Sequence, residues 1–188
     1  MENRVHIEAP LDKSTIANLR AGDSVLISGV VFTARDAAHR RMVDALARGE
    51  RLPVDWRDQV VYYVGPCPAR PGEVIGSAGP TTSGRVDAYT PQLLGLGLKG
   101  MIGKGERSPE VVAAMVKRGA VYFAAIGGLG ALIADRIRKA DVVAYPDLGP
   151  EAIYRLELQD LPAVVAIDAC GNNLYHEGRN RYRRPVEL

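Results

Sequence analysis

Short apolar runs rich in β-branched residues recur along the chain, separated by polar segments and by turns rich in Gly and Pro. Runs of this kind predict buried strands. The predicted strands are Val5–Ile7, Val25–Phe32, Val60–Val64, Glu73–Ser77, Gly100–Ile102, Val121–Ile126, Val142–Ala144, Ile153–Leu158 and Val164–Ile167.

Other segments carry apolar residues at the helical period, as in Arg35–Arg48, where Ala38 and Met42 share one face. The triplet Ser108-Pro109-Glu110 predicts a helix start, with Ser as the N-cap and Pro at the first helical position. The predicted helical segments are Ser14–Leu19, Arg35–Arg48, Val86–Leu94, Ser108–Arg118 and Leu129–Lys139. Strands and helices alternate irregularly, which favours one α/β domain with strands in more than one layer.

The length of 188 residues fits one domain, which we assign to residues 1–175, followed by a polar, Arg-rich tail over 176–188. The tail cations, Arg179, Arg181, Arg183 and Arg184, suit a solvated tail or a subunit contact. A formal net charge of +2 does not predict a nucleic-acid partner. We expect no membrane span and no signal peptide, because no apolar run reaches about 18 residues and the N-terminus is polar.

Two cysteines, Cys67 and Cys170, are too few to hold an iron–sulfur cluster or a structural zinc. We expect both to be free thiols in a reducing cytoplasm. Basic residues are mostly arginine, with 19 Arg among the 24 basic side chains. Arginine binds carboxylate and phosphate groups in a bidentate manner, so this bias is compatible with an anionic ligand as well as with genome composition.

Two loops carry groups that bind anions. The segment Thr81-Thr82-Ser83-Gly84-Arg85 offers hydroxyls and a guanidinium between small residues; the alternative is a polar turn that caps the next helix. Gly103-Lys104-Gly105 precedes a predicted helix N-terminus, where free N–H groups favour negative charge; the alternative is a surface lysine. A dinucleotide-binding pattern is matched by Gly95-Leu96-Gly97-Leu98-Lys99-Gly100. Such a site needs a strand before the pattern and a helix after it, whereas here a predicted helix precedes and a strand follows. The glycines therefore fit the C-terminal end of a helix better.

A third candidate segment begins the helix at Arg35, and Arg35 and His39 share a face of that helix. In isolation His39 fits a core histidine bonded to backbone. Arg35, Arg85 and Lys104, together with neighbouring hydroxyls at element ends, suit a small dianionic substrate. No residue of the chain supplies an obvious electrophile.

These three loops carry a family resemblance. Gly79-Pro80-Thr81-Thr82-Ser83-Gly84-Arg85, Ala34-Arg35-Asp36-Ala37-Ala38-His39 and Gly103-Lys104-Gly105 resemble segments of the β subunit of class I, iron–sulfur-dependent fumarate hydratase. They also resemble segments of the closely related β subunit of L(+)-tartrate dehydratase. The resemblance extends to the segment from Asp168 to Leu174. It implies a three-layer, swivelling β/β/α fold.

The resemblance also implies a function, a hydro-lyase subunit that reversibly hydrates fumarate to (S)-malate. It implies a [4Fe–4S] cluster held by a partner α subunit, in an α2β2 assembly, and no metal ligand on this chain. Arg35, Arg85 and Lys104 would bind the substrate carboxylates, while Thr81 and His39 are the candidates for proton transfer. Dehydration of tartrate remains an alternative, as does a dicarboxylate-binding module without catalysis.

Overall fold

Seven strands pair into one sheet in the computed structural model, which describes residues 4–183. The strands are β1 (Val5–Ala9), β2 (Ser24–Thr33), β3 (Val60–Tyr62), β4 (Gly100–Gly103), β5 (Val121–Ala124), β6 (Ile137–Ala144) and β7 (Ile153–Ile167). Their order is β1-β2-β3-β4-β5-β7-β6, and β7 also pairs with β2. Because β7 pairs with both β2 and β5, the strands β2, β3, β4, β5 and β7 close into a ring.

Strands β1 to β5 pair in parallel, whereas β7 runs antiparallel to β2, β5 and β6. Neighbouring residues of a strand face opposite sides of the sheet, and each side carries an apolar core. On one side, Tyr62 lies beside Ile102 and Phe123. On the other, Val61, Met101 and Tyr122 lie in register and are covered by helices.

Six helices accompany the strands in the described residues: α1 (Lys13–Asn18), α2 (Asp36–Ala47), α3 (Thr90–Gly95), α4 (Pro109–Arg118), α5 (Gly130–Ala134) and α6 (Leu174–Tyr182). Two 3-10 turns cover Ser83–Val86 and Pro146–Glu151. The buried side chains Met42, Leu93 and Met115 pack α2, α3 and α4 on the same face of the sheet. Over the described part of the chain, no helix has the length and apolar character needed to cross a membrane.

The α4 boundaries follow the predicted capping residues. The Ser108 hydroxyl accepts a hydrogen bond from the amide of Val111 at 3.4 Å. At the other end Gly119 adopts a left-handed conformation, with φ at 61°, which glycine allows without a steric penalty. The helix predicted from Ser108 to Arg118 is therefore confirmed, as is the α/β class of a single domain. The three-layer swivelling arrangement stays a prediction.

Two predicted elements are wrong. The segment Glu73–Ser77 forms no strand, because its backbone closes the preceding turn instead, with hydrogen bonds between Cys67 and both Gly76 and Ser77. The helix predicted over Leu129–Lys139 stops at Ala134, and β6 begins at Ile137. Antiparallel pairing of β6 with β7 overrides the local helical pattern there.

The C-terminal part differs from prediction in two further ways. The two late strands predicted within 153–167 are one long strand, β7, which passes Asp160 at a φ of 54°. The polar tail begins with a helix, α6, whose N-cap Asn173 accepts a hydrogen bond from the amide of Tyr175 at 3.0 Å. Arg184 and the rest of the predicted tail, residues 184–188, lie outside the described residues.

Candidate active site

The candidate residues lie where parallel strands end. Arg35 follows β2 and Lys104 follows β4, and β2, β3, β4 and β5 run in the same direction. Carboxyl ends of parallel strands share one edge of a sheet, and ligands bind at that edge in closed as well as open α/β sheets. The Thr81–Arg85 segment joins this edge, because Thr82 forms an isolated parallel bridge with Lys104.

Backbone hydrogen bonds fix Thr81 next to Lys104. The Lys104 amide donates to the Thr81 carbonyl at 3.3 Å, and the Ser83 amide donates to the Lys104 carbonyl at 2.9 Å. The Thr81 amide and hydroxyl both donate to the Tyr63 carbonyl, at 2.8 and 2.9 Å. The Thr81 hydroxyl hydrogen is therefore engaged, while its oxygen retains lone pairs that can accept a hydrogen bond.

Gly103 allows the close approach of these two segments. A Cβ atom at this position would lie 2.0 Å from the Ser83 hydroxyl and 2.9 Å from the Tyr63 ring. Such distances are far inside van der Waals contact, so a side chain here would displace the Ser83 hydroxyl and the Tyr63 ring. The absence of a side chain at Gly103 therefore leaves room for the Ser83 hydroxyl against β4.

Arg85 and Lys104 are exposed cations in these adjacent segments. Within residues 4–183, neither side chain forms an ion pair with a carboxylate. The Lys104 side chain extends past Gly127, just beyond the end of β5. Two positive charges on the segments next to Thr81, unpaired within the described residues, suit a small anion.

Arg35 is held in a different way, half-buried against Gly65. Its Nη2 lies 3.5 Å from Glu151 Oε1 and 3.7 Å from Asp36 Oδ2, while its buried Nε has no hydrogen-bond partner among residues 4–183. The other oxygen of Glu151 accepts the amide of Ala37 at 2.9 Å, at the start of α2. Glu151 therefore restrains both the helix end and the Arg35 guanidinium.

His39 is fully buried one turn into α2. Its Nδ1 lies 2.9 Å from the Arg35 carbonyl, so Nδ1 carries the hydrogen, and the buried Nε2 has no hydrogen-bond partner in the described part of the chain. Burial, with a smaller effect from the Arg107 charge, lowers the pKa of His39 to about 4, against the hydrogen bond to Arg35. The structure thus brings a neutral His39 to the backbone of Arg35, as the interpretation of a core histidine predicts.

A buried polar network behind the site was missed at the sequence level. The Arg107 side chain has no exposed surface, and its Nε donates to Asp87 Oδ1 at 2.7 Å. Although burial disfavours the charge, Tyr63 and Asp87 raise the pKa of Arg107 above its usual range. The only sequence signal is position: Arg107 lies three residues beyond Lys104, and Asp87 two beyond Arg85.

The chain's own donors do not fit an iron–sulfur cluster. Cys67 and Cys170 are exposed free thiols, and they are the only cysteines in the sequence. A cluster of four irons needs more thiolate ligands than this chain has. Over residues 4–183, no group of three or more His, Cys, Asp or Glu side chains could hold a metal ion.

Comparison with known proteins identifies the family. The sequence model described as the fumarase C-terminus matches residues 1–178. Fumarate hydratase 2 of Leishmania major is 35% identical over 176 residues, which are 92% of this chain and 31% of that protein. Aerobic class I fumarate hydratase of Escherichia coli K12 is 36% identical over 179 residues, 93% of this chain and 32% of that protein.

The chain thus spans about a third of the length of these fumarate hydratases. A Methanocaldococcus jannaschii protein, provisionally named L(+)-tartrate dehydratase subunit beta, is 36% identical over 185 residues, and the match covers 95% of both chains. The family resemblance drawn from the three loops is confirmed by these matches. The chain belongs to the fumarase C-terminus family.

Proposed function

We propose that this chain is the β subunit of a class I fumarate hydratase, which reversibly hydrates fumarate to (S)-malate together with a partner α subunit. One observation carries the proposal: Arg85 and Lys104, exposed cations that form no ion pair within residues 4–183, lie on the two segments whose backbone hydrogen bonds hold Thr81 in place. A small dicarboxylate brings two negative charges and a reacting carbon between them. The similarity to fumarate hydratases supports this choice of substrate.

The three cations have distinct roles in this proposal. Arg85 pairs with one substrate carboxylate in a bidentate manner, and Lys104 binds as a point charge. Arg35, restrained by Glu151, completes the carboxylate binding. When the C–H proton leaves, negative charge grows on the adjacent carboxylate, and fixed cations stabilise that charge.

Thr81 is the group we place nearest the carbon that loses or gains a proton. In the structure its hydroxyl donates to the Tyr63 carbonyl, and its oxygen keeps lone pairs as an acceptor. To act as the base, Thr81 first releases its hydroxyl proton to water and then takes the C–H proton, and the positive charges on the neighbouring segments favour the deprotonated form. His39, bonded to the Arg35 carbonyl, supports the position of Arg35; direct proton transfer by His39 is the alternative.

Substitutions in the fully cluster-loaded enzyme separate these roles. Thr81→Val keeps the shape and removes the hydroxyl, and we expect it to lower kcat by roughly 10²–10⁴-fold. His39→Asn should cost less if the imidazole only positions Arg35. Near wild-type kcat in Thr81→Val, together with an inactive His39→Asn, would reverse the two assignments.

The partner completes the enzyme in this proposal. The α subunit holds the [4Fe–4S] cluster and assembles with this chain as α2β2, in the reducing environment of the cytoplasm. Exposed apolar side chains, Ile126, Leu129 and Leu132, lie in the segment beyond β5 that passes Lys104, and they support a protein contact beside the site. We expect the chain purified alone to be colourless and inactive as a hydratase.

Dehydration of L(+)-tartrate to oxaloacetate is the second candidate. The relative from M. jannaschii favours it, since that protein matches this chain over nearly the full length of both. Tartrate has one more hydroxyl than malate, and a site discriminates by the polar groups that it provides for that hydroxyl. Parallel assays of the assembled enzyme with malate and tartrate rank the two substrates by kcat/KM.

The test is an anaerobic co-purification of the tagged chain with its cluster-bearing partner, followed by assays of fumarate hydration. Arg85→Lys should lower kcat/KM by at least about tenfold, because a point charge loses the bidentate pairing. Arg118→Lys, the same change at an exposed arginine in the last turn of α4, should leave kcat/KM unchanged. Wild-type activity in Arg85→Lys and in Lys104→Met would place the site elsewhere.

A binding module without catalysis predicts a different result. Such a module would bind fumarate without any partner, and calorimetry of the isolated chain detects that binding. If the isolated chain binds fumarate strongly and no co-purified assembly hydrates it, the binding module is the correct function and the proposed enzyme is not.

A further inference from the structure

Besides the backbone hydrogen bonds, a buried side-chain hydroxyl joins the two segments of the candidate site. Tyr122 on β5 is fully buried, and its Oη lies 2.9 Å from both the Ser83 Oγ and the Gly105 carbonyl. A carbonyl oxygen only accepts, so the Tyr122 hydroxyl donates to Gly105 and accepts from Ser83. Ser83 lies between Thr81 and Arg85, whereas Gly105 follows Lys104 directly.

The buried ion pair makes a further side-chain connection between the same two segments. Arg107 extends the Lys104 segment and pairs with Asp87, which extends the Arg85 segment. The other oxygen of Asp87 accepts the amide of Ser108 at 2.6 Å. The Arg107 guanidinium lies 5.1 Å from the centre of the Tyr122 ring, and therefore packs against the side chain that bears the bridging hydroxyl.

The spacing of the two segments matters for the proposed substrate. Fumarate is rigid and planar, with its carboxylates fixed on opposite ends of a trans double bond. It cannot adapt to cations that drift apart, so the distance from Lys104 to Arg85 must be held by the protein. A misplacement of about 1 Å lowers a rate by up to about a hundredfold.

We propose that Tyr122 is a positioning residue that holds the Lys104 segment at a fixed distance from the Thr81–Arg85 segment. The inference rests on the proposed function, because the binding of a rigid dicarboxylate to cations on both segments is what requires that fixed distance. Tyr122 itself touches no substrate. It acts through Ser83 on one side and through the Gly105 carbonyl on the other.

The first test is Tyr122→Phe in the enzyme assembled with its partner, since phenylalanine keeps the ring and removes only the hydroxyl. We expect kcat/KM for fumarate to fall about tenfold to a hundredfold. Tyr62→Phe is the matched control: this buried hydroxyl also donates to a carbonyl, that of Ala78, but from the opposite face of the sheet. The control should lose a similar amount of thermal stability and less than about threefold in kcat/KM.

The second test is a double-substitution cycle, which a general loss of stability would not mimic. Ser83→Ala removes the same bridge from its other end. Adding it to Tyr122→Phe should lower kcat/KM by less than about twofold further, because residues in one hydrogen-bond network act non-additively. Adding Tyr62→Phe to Tyr122→Phe should multiply the two separate effects.

Equal losses of kcat/KM in Tyr122→Phe and Tyr62→Phe would overturn the positioning role. So would independent, multiplicative losses for Ser83→Ala and Tyr122→Phe. The proposed function fails by a separate result, namely wild-type activity in both Arg85→Lys and Lys104→Met. An assembled wild-type enzyme that hydrates no dicarboxylate would overturn both.

Discussion

Replacing His39 should change how the stability of this chain responds to acid. The buried imidazole has a pKa of about 4, whereas an unfolded histidine titrates near 6.5. Between these two values the unfolded chain binds a proton that the folded chain does not. The neutral ring therefore contributes stability that is fully present above about pH 6.5 and is lost as the pH falls towards 4.

The size of the effect follows from the displacement of the pKa. The full contribution is about 3 kcal/mol, of which about 2 kcal/mol is lost between about pH 7.5 and about pH 5. In His39→Asn nothing titrates at this position, so that part of the pH dependence should disappear. The absolute stability of the variant is not the readout, because asparagine also repacks the core.

The measurement is urea unfolding of the full chain, followed by circular dichroism at several pH values. His176→Asn makes the same substitution at an exposed histidine and should keep the wild-type pH dependence. A His39→Asn variant that still loses about 2 kcal/mol between about pH 7.5 and about pH 5 would contradict the assignment. The buried, neutral state of His39 would then not be the source of the acid sensitivity.

Two further substitutions test the packing behind the site. Arg107→Met leaves the carboxylate of Asp87 without its buried partner. We expect the free energy of unfolding, measured in urea melts, to fall by about 3–5 kcal/mol. A loss below about 1 kcal/mol would show that water replaces the guanidinium. Gly103→Ala should lower Tm markedly, because the added Cβ atom would collide with Ser83. Gly95→Ala is the control: this position is helical, its added Cβ atom would meet no other part of the fold within 4 Å, and the change should be neutral or stabilising. Equal Tm values for the two alanine variants would refute the close packing.

Local signals account for what could be predicted from the sequence. The bounds of α4 follow from Ser108, Pro109 and Gly119, because caps and glycine conformations depend on neighbouring residues alone. The local pattern is weaker at the candidate site: Thr81, Arg85 and Lys104 stand in short polar loops, which fit a polar turn and a surface lysine as well, and the family resemblance is what singles these loops out.

Long-range contacts account for what could not be predicted. The strand β6 forms because it pairs with β7, and nothing within Ile137–Ala144 encodes that partner. In the sequence, Tyr122 is one apolar position of a predicted strand and Arg107 is a polar residue before a predicted helix, so neither stands out. Their hydrogen bonds arise only when β4 and β5 lie side by side and bring Ser83 against Gly105.

The ring of strands has a consequence for how the chain folds during synthesis. Strand β7 closes the ring, and its pairing joins Ser24 to Val164, so the two partners leave the ribosome far apart in time. Until β7 emerges, β2 and β5 each present an unpaired edge, and such edges invite association with other chains. Contacts of high sequence separation also fold slowly. Newly made chains therefore pass through a long aggregation-prone interval, during which chaperones that shield strand edges should raise the yield of folded protein.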